Sequence, residues 1–176
     1  DFHDSYRNLT YKAIAGLRWI TNYCHHAKFV LKTDDDTFVN TFTLLHHLRS
    51  LNSLNNQYTN LLMCDVLYKK PALRDGKWKV TKEEYKEDIL PTFCPGLGII
   101  MSTDVAVRMY NISHYTAFLW LDDVYITGLL ALKLGIKHRS FSSFYVQGYQ
   151  CEEKFTGQEW FKYVFFVLLL CDFPLA

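Results

Sequence analysis

None of the five cysteines, Cys24, Cys64, Cys94, Cys151 and Cys171, stands in a Cys-x-x-Cys pair, which excludes a zinc ribbon and a thioredoxin-type redox site. The odd count fits no closed set of disulfides. Charge of one sign is also lacking: 19 Lys plus Arg against 18 Asp plus Glu leaves +1, hence no basic face for nucleic acid and no acidic tail. Only four prolines and eight glycines occur in 176 residues, so no Pro/Gly-rich linker divides the chain, and no internal repeat does. The glycines never form Gly-x-Gly-x-x-Gly or a Walker motif, and neither a Gly-x-Ser-x-Gly elbow nor a His-x-x-x-His pair with a glutamate is present. His25-His26 and His46-His47 read as surface residues. The long apolar run, Tyr163 to Cys171, falls short of the roughly 18 residues that span a bilayer and reads as a buried strand or a divergent tail. No signal peptide or transit sequence opens the chain, and Asp1-Phe2-His3-Asp4 reads as the middle of a longer protein.

What is present is enough for a core: 49% apolar residues against 21% charged, with 16% aromatic. From Tyr6 to Cys24, apolar residues at Leu9, Ala13, Ile14, Leu17 and Ile20 predict an amphipathic helix, with Asp4 or Ser5 available as its cap. Phe29-Val30-Leu31 reads as a short buried strand, and Leu44, Leu45, Leu48 and Leu51 mark a second helix. Leu61 to Leu67 and Gly98 to Met101 are further strands, the latter followed by a helix that Ser102 or Thr103 can cap. Asp122 to Gly135 is helical again, with Gly135 placed to end it. Helices alternating with strands predict an α/β layered architecture with a parallel or mixed sheet, and ligands gather at the carboxyl ends of such strands.

Asp34-Asp35-Asp36 falls at such an end, after Phe29-Val30-Leu31 and Lys32-Thr33. Three adjacent carboxylates repel one another unless a cation sits among them, and hard oxygen ligands suit Mg²⁺ or Mn²⁺ completed by phosphate and water. A solvated acidic turn at the start of the next helix is the other reading. Asp122-Asp123 follows the apolar stretch Ala117 to Leu121; a carboxylate in such surroundings has a raised pKa that suits a general base, although helix capping explains an aspartate there too. Phe93-Cys94-Pro95-Gly96-Leu97-Gly98 is a loop whose Gly96 suits either close backbone approach to a ligand or a plain turn. Within Arg74 to Lys79, the Trp78 indole can stack on a sugar ring or lie flat on the fold. Two Asn-x-Ser/Thr sequons, Asn8-Leu9-Thr10 and Asn111-Ile112-Ser113, are compatible with a secretory lumen.

Taken in order, Asp1-Phe2-x-Asp4-Ser5-Tyr6-x-Asn8-Leu9-Thr10-x-Lys12, Lys28 to Asp36 with Phe38-Val39-Asn40, Lys77-Trp78 with Glu84-Tyr85, Pro91-x-Phe93-Cys94-x-Gly96 and Asp122-Asp123-Val124-Tyr125 closely resemble the β-1,3-galactosyltransferase and β-1,3-N-acetylglucosaminyltransferase family, glycosyltransferase family 31. The resemblance runs from Asp1 to about Ile136. It implies a GT-A fold lacking its N-terminal nucleotide-binding strands, and an inverting enzyme that moves galactose or N-acetylglucosamine from UDP-galactose or UDP-N-acetylglucosamine. The implied acceptor is a glycan hydroxyl on a glycoprotein or glycolipid, and the implied linkage is β-1,3. It further implies Mn²⁺ and a Golgi lumenal catalytic domain held to the membrane by an N-terminal anchor.

Residue by residue, the resemblance makes Asp36 the direct metal ligand, with Asp34 at the ribose or metal and Asp35 in support. Lys77, Trp78 and Gly96 then belong to the donor site, Asp123 is the base and Asp122 its neighbour. Many members carry a histidine after the Asp-Val-Tyr helix; His138 lies very close to that helix here, and no third protein ligand is assigned. Residues 1–150 are therefore expected to be a partial catalytic domain and 151–176 a divergent apolar tail. An inactive sugar- or nucleotide-binding relative is the alternative. A phosphatase with an aspartate nucleophile is disfavoured because Phe38 stands where its motif wants Thr or Val.

Overall fold

The computed structural model describes residues 2–55, 59–141, 145–146 and 166–168. A single 3₁₀ turn, Tyr6–Asn8, leads into α1, Leu9–Tyr23. Then follow β1 (Phe29–Lys32), β2 (Thr37–Val39), α2 (Thr41–Asn55), β3 (Leu62–Cys64), β4 (Ile99–Ser102) and α3 (Thr103–Ser113). A π-helical segment, Val124–Leu130, continues into α4, Ala131–Leu134, before β5 (Arg139–Ser140), β6 (Tyr145–Val146) and β7 (Phe166–Leu168). Among the described residues no helix is long and apolar enough to cross a membrane.

The main sheet has the order β1-β4-β3-β5. It is mixed: β4 runs antiparallel to both β1 and β3, and β5 runs parallel to β3. Side chains alternate across a strand, and here the alternation divides the core in two. Leu62, Cys64, Ile99 and Met101 face α1, α3 and the π-helical segment through Leu17, Val105, Met109 and Ile126. Met63 and Ile100 face the opposite way, onto Leu44 and Leu48 of α2 and onto Phe141. Helices thus cover both faces, the α/β layering expected from the alternation of elements. A second sheet, β2-β7-β6, pairs Phe38 with Val167 and Val146 with Val167. The rest of the apolar tail lies outside the described residues.

Helix starts depart from the expected caps for a tertiary reason. Neither Ser5 nor Asn8 caps the first helix with its side chain. Ser102 Oγ accepts from the Leu61 N–H at 3.0 Å, and Thr103 Oγ1 donates to the Ala27 carbonyl at 2.5 Å, so both hydroxyls tie the start of α3 to the segments that lead into β3 and β1. At the end of α4, Gly135 adopts φ +64°, where a side chain would be strained, and stops the helix as expected.

Cys64 and Cys94 form a disulfide across a separation of 30 residues, and both are fully buried. The odd cysteine count is compatible with this: Cys24 is free, and Cys151 and Cys171 lie outside the described residues. The bridge pins the loop before β4 to the end of β3. Because closing a loop of that size restricts the unfolded chain, Cys94→Ser is expected to lower unfolding free energy by about 2–5 kcal/mol. Urea unfolding of the oxidised protein and of the variant measures it.

Candidate active site

The carboxyl end of β1 carries the acidic triplet, and a lysine organises it. Lys32 Nζ lies 3.0 Å from Asp122 Oδ2 and 3.5 Å from Asp34 Oδ1, so the two acidic segments meet on one ammonium. The Lys32 side chain is 25% exposed and that of Asp122 only 18%, which shields this pair from solvent far more than an ordinary surface bridge. Burial alone would depress the Lys32 pKa, but Asp122 and then Asp34 outweigh it and raise the pKa above the usual lysine value.

Asp34 is confined from the opposite side by Gly96. A Cβ added at Gly96 would stand 2.2 Å from Asp34 Oδ2 and 2.8 Å from its carboxyl carbon. The close approach that the glycine permits is therefore to Asp34 itself. Thr33 Oγ1 donates to the Leu97 carbonyl at 3.0 Å, which lashes this loop to the strand end, and the disulfide holds the same loop at Cys94.

All three residues of the triplet are exposed. Among the described residues β1 is an edge strand, and the chain turns at Asp35-Asp36 into β2, which points these carboxylates to solvent. Thr37 Oγ1 lies 3.5 Å from Asp36 Oδ1. Among the described residues no three His, Cys, Asp or Glu side chains come together as a metal cage. This donor set fits a cation held by one or two carboxylates that completes its shell with substrate phosphate and water, not an all-protein site. His138 does not join it through Nε2, which is engaged with the Thr127 carbonyl at 2.6 Å.

Asp123 begins the π-helical segment, an uncommon winding that recurs at functional sites. Its Oδ1 accepts from the Val124 N–H at 2.7 Å, so part of the capping reading is correct. Thr127 Oγ1 donates to the Asp123 carbonyl at 2.6 Å and accepts from the Cys94 N–H at 2.8 Å, linking this helix to the Gly96 loop. Burial first, and the neighbouring Asp122 charge second, push the Asp123 pKa up to about 6. Such a carboxylate can take up a proton near neutral pH.

Lys77 and Trp78 sit elsewhere, on Tyr6. The Trp78 Nε1–H donates to Tyr6 Oη at 2.8 Å, and Lys77 Nζ stands 4.9 Å from the Tyr6 ring centroid. Their segment is wound around Arg74, whose guanidinium donates to the carbonyls of Val80, Thr81, Tyr85 and Glu87. The described contacts thus bring Asp34, Asp122, Asp123 and Gly96 together, while Lys77 and Trp78 belong to an aromatic cluster. Lys32 is the residue the sequence reading passed over, and its signal was present: a lysine two positions before three carboxylates.

Similarity to known proteins agrees with this arrangement of motifs. The Galactosyltransferase family model matches residues 1–142. The chain is 38% identical over 142 residues to mouse beta-1,3-galactosyltransferase 5, covering 78% of this chain and 44% of that protein. It is 40% identical over 140 residues to human beta-1,3-galactosyltransferase 1, covering 77% of this chain and 41% of that protein. The chain therefore spans less than half the length of these relatives.

Two outcomes follow from the geometry. Gly96→Ala should push the half-exposed Asp34 carboxylate away from Lys32 at a cost to the fold of about 1 kcal/mol or less, the range of a solvent-screened ion pair, as measured by thermal unfolding. Asp123 has a folded-state pKa above its unfolded value of 3.8, so the folded state binds the proton more tightly and stability falls as pH rises through about 4 to 6. Asp123→Asn keeps the acceptor oxygen for Val124 and removes that loss. It should be more stable than the parent at pH 8 by about 1–3 kcal/mol, and that difference should shrink as pH falls from 6 to 4, which urea titrations across pH will test.

By the match of its first 142 residues and its identity to these relatives, the chain belongs to the galactosyltransferase family, glycosyltransferase family 31.

Proposed function

We propose that this chain is a piece of the catalytic domain of an inverting hexosyltransferase with a GT-A fold, which moves galactose or N-acetylglucosamine from a UDP-sugar to a glycan hydroxyl in β-1,3 linkage. The observation that carries the reading is the meeting of Asp34 and Asp122 on Lys32, with the high-pKa Asp123 beside them. One acidic segment for a metal-bound diphosphate and one for a base belong at a single centre in such a reaction. That the relatives are beta-1,3-galactosyltransferases supports galactose as the transferred sugar.

In the mechanism we infer, Asp123 accepts the proton of the acceptor hydroxyl as that oxygen attacks the anomeric carbon. The bond from that carbon to the UDP oxygen breaks in the same displacement, UDP leaves with the electron pair, and the configuration inverts. Asp36 and Asp34 would hold a divalent cation, Mn²⁺ in this reading, which supplies positive charge to the departing diphosphate. Asp122 and Lys32 fix the carboxylates, and Asp35 supports the triplet from the turn. Gly96 leaves the space in which Asp34 sits. We place the full-length protein in the Golgi lumen, held by an N-terminal membrane anchor, in keeping with its two sequons.

Two substitutions separate the roles in enzyme extended to the length of its relatives. Asp123→Asn should lower kcat about 10² to 10⁴-fold while donor affinity stays near the parent value, as steady-state kinetics and UDP titration will show. Asp36→Asn should abolish Mn²⁺-dependent UDP binding in calorimetry, because the amide carries no charge to offset the cation. Retained Mn²⁺-dependent affinity in Asp36→Asn would overturn the metal assignment, and retained turnover in Asp123→Asn the base.

A further inference from the structure

Between α1 and the segment that leads to Asp122 lies a cavity of about 240 Å³, walled by Arg7, Tyr11, Glu84, Phe118 and Trp120. Three features give it a chemistry. Its walls are aromatic: Tyr11 and Phe118 stack with centroids 4.5 Å apart, and Trp120 lies under the Arg7 guanidinium at 4.7 Å. It holds a paired donor and acceptor, because Arg7 Nη1 and Glu84 Oε1 meet at 3.3 Å. Finally, the Trp120 indole N–H is buried and has no hydrogen-bond partner among the described residues, while the residue itself is 5% exposed. A buried donor left unpaired is costly, and a ligand oxygen relieves it.

Flat apolar faces beside a carboxylate, a guanidinium and an indole N–H match a pyranose ring, which has apolar C–H faces and adjacent hydroxyls that both donate and accept. The size agrees, since pockets for drug-sized ligands run to about 300–1,000 Å³ and this one is smaller. Its walls are also braced: Thr10 Oγ1 donates to the Leu119 carbonyl at 2.8 Å and fixes the Phe118 to Trp120 segment on α1. The position adds a function. Trp120 and Asp123 are three positions apart, so their Cα atoms are at most about 11 Å apart, within the reach of a disaccharide.

We propose that this cavity is an acceptor subsite that takes the second sugar of the acceptor glycan, one residue removed from the hydroxyl that reacts at Asp123. The proposal rests on the hexosyltransferase reading for the acceptor role, but not for sugar binding itself.

The test is calorimetric titration of the chain with methyl β-D-galactopyranoside, using protein from a bacterial periplasm so that no glycan is attached at Asn8. Saturable binding is expected, weakened about 3- to 10-fold in Trp120→Phe, which keeps an aromatic face but loses the indole N–H donor, and weakened also in Phe118→Leu. Trp19→Phe, at an exposed position on α1, should leave it unchanged. No saturable binding, or binding indifferent to both pocket variants, would overturn the subsite. Mn²⁺-dependent UDP titration and the same sugar titration, both in enzyme extended to the length of its relatives, keep the two readings apart. UDP binding without sugar binding sinks the subsite and spares the hexosyltransferase reading, and sugar binding without UDP binding does the reverse. In the extended enzyme, Trp120→Phe should raise KM for a disaccharide acceptor by the same factor, with kcat and the KM for a monosaccharide acceptor unmoved. Equal effects on both acceptors would overturn the second-sugar assignment.

Discussion

The site depends on one ammonium group placed between two carboxylates. Without Lys32, Asp34 and Asp122 would face each other and Asp123 with no counter-charge, in surroundings that dampen repulsion less than water does. Backbone pairing sets the direction in which a strand lysine leaves the chain, and here that pairing is explicit, with Lys32 opposite Ile99 at the edge of the main sheet. The strand register therefore fixes where the acidic segments can meet.

Other contacts converge on the same point from the opposite direction. The disulfide at Cys94, the hydroxyl of Thr33 on Leu97 and the hydroxyl of Thr127 under Cys94 all hold one loop, the loop whose Gly96 confines Asp34. Thr127 serves two segments at once through its bond to the Asp123 carbonyl. Strand end, glycine loop and π-helical segment are thus joined by side-chain-to-backbone bonds and one covalent bridge. On the proposed reading, such bracing serves a centre that has to align a donor, an acceptor and a base.

How much of this the sequence disclosed follows from the range of each interaction. The long helices were legible because a three-to-four spacing is local, and α1 and the stretch from Asp122 to Gly135 lie where the spacing puts them. The three-residue β2 was not, since so short a segment carries no period. At α3 the expected Ser102 does hold the N-cap position, but its hydroxyl and that of Thr103 found partners in Leu61 and Ala27, which no local pattern reports. The acidic pairs stood out by charge density alone, whereas their meeting on Lys32 and the pairing of Cys64 with Cys94 are long-range facts of topology. Family resemblance supplied the order of motifs, yet it placed Lys77 and Trp78 with the donor, while their described contacts are with Tyr6.

That last displacement bears on how the two halves of the site divide their work. Tyr6 touches Trp78 and Lys77 on one side and lies 6.1 Å from Trp120 on the other, so the Arg74-centred segment and the approach to Asp122 share a single aromatic bridge. Arg7, one residue on, connects the same approach to Glu84. A metal-assisted displacement concentrates charge at the departing diphosphate, whereas a glycan acceptor is neutral and is recognised by ring faces and hydroxyls. The described residues separate along that line: carboxylates, the lysine and the glycine loop gather at the end of β1, and aromatic rings with one ion pair gather at the start of α1. Asp123 stands between the two groups, tied to the first through Asp122 and to the second through the few residues back to Trp120. On the proposed reading, a base at that junction is where an acceptor held by one group would meet a donor held by the other.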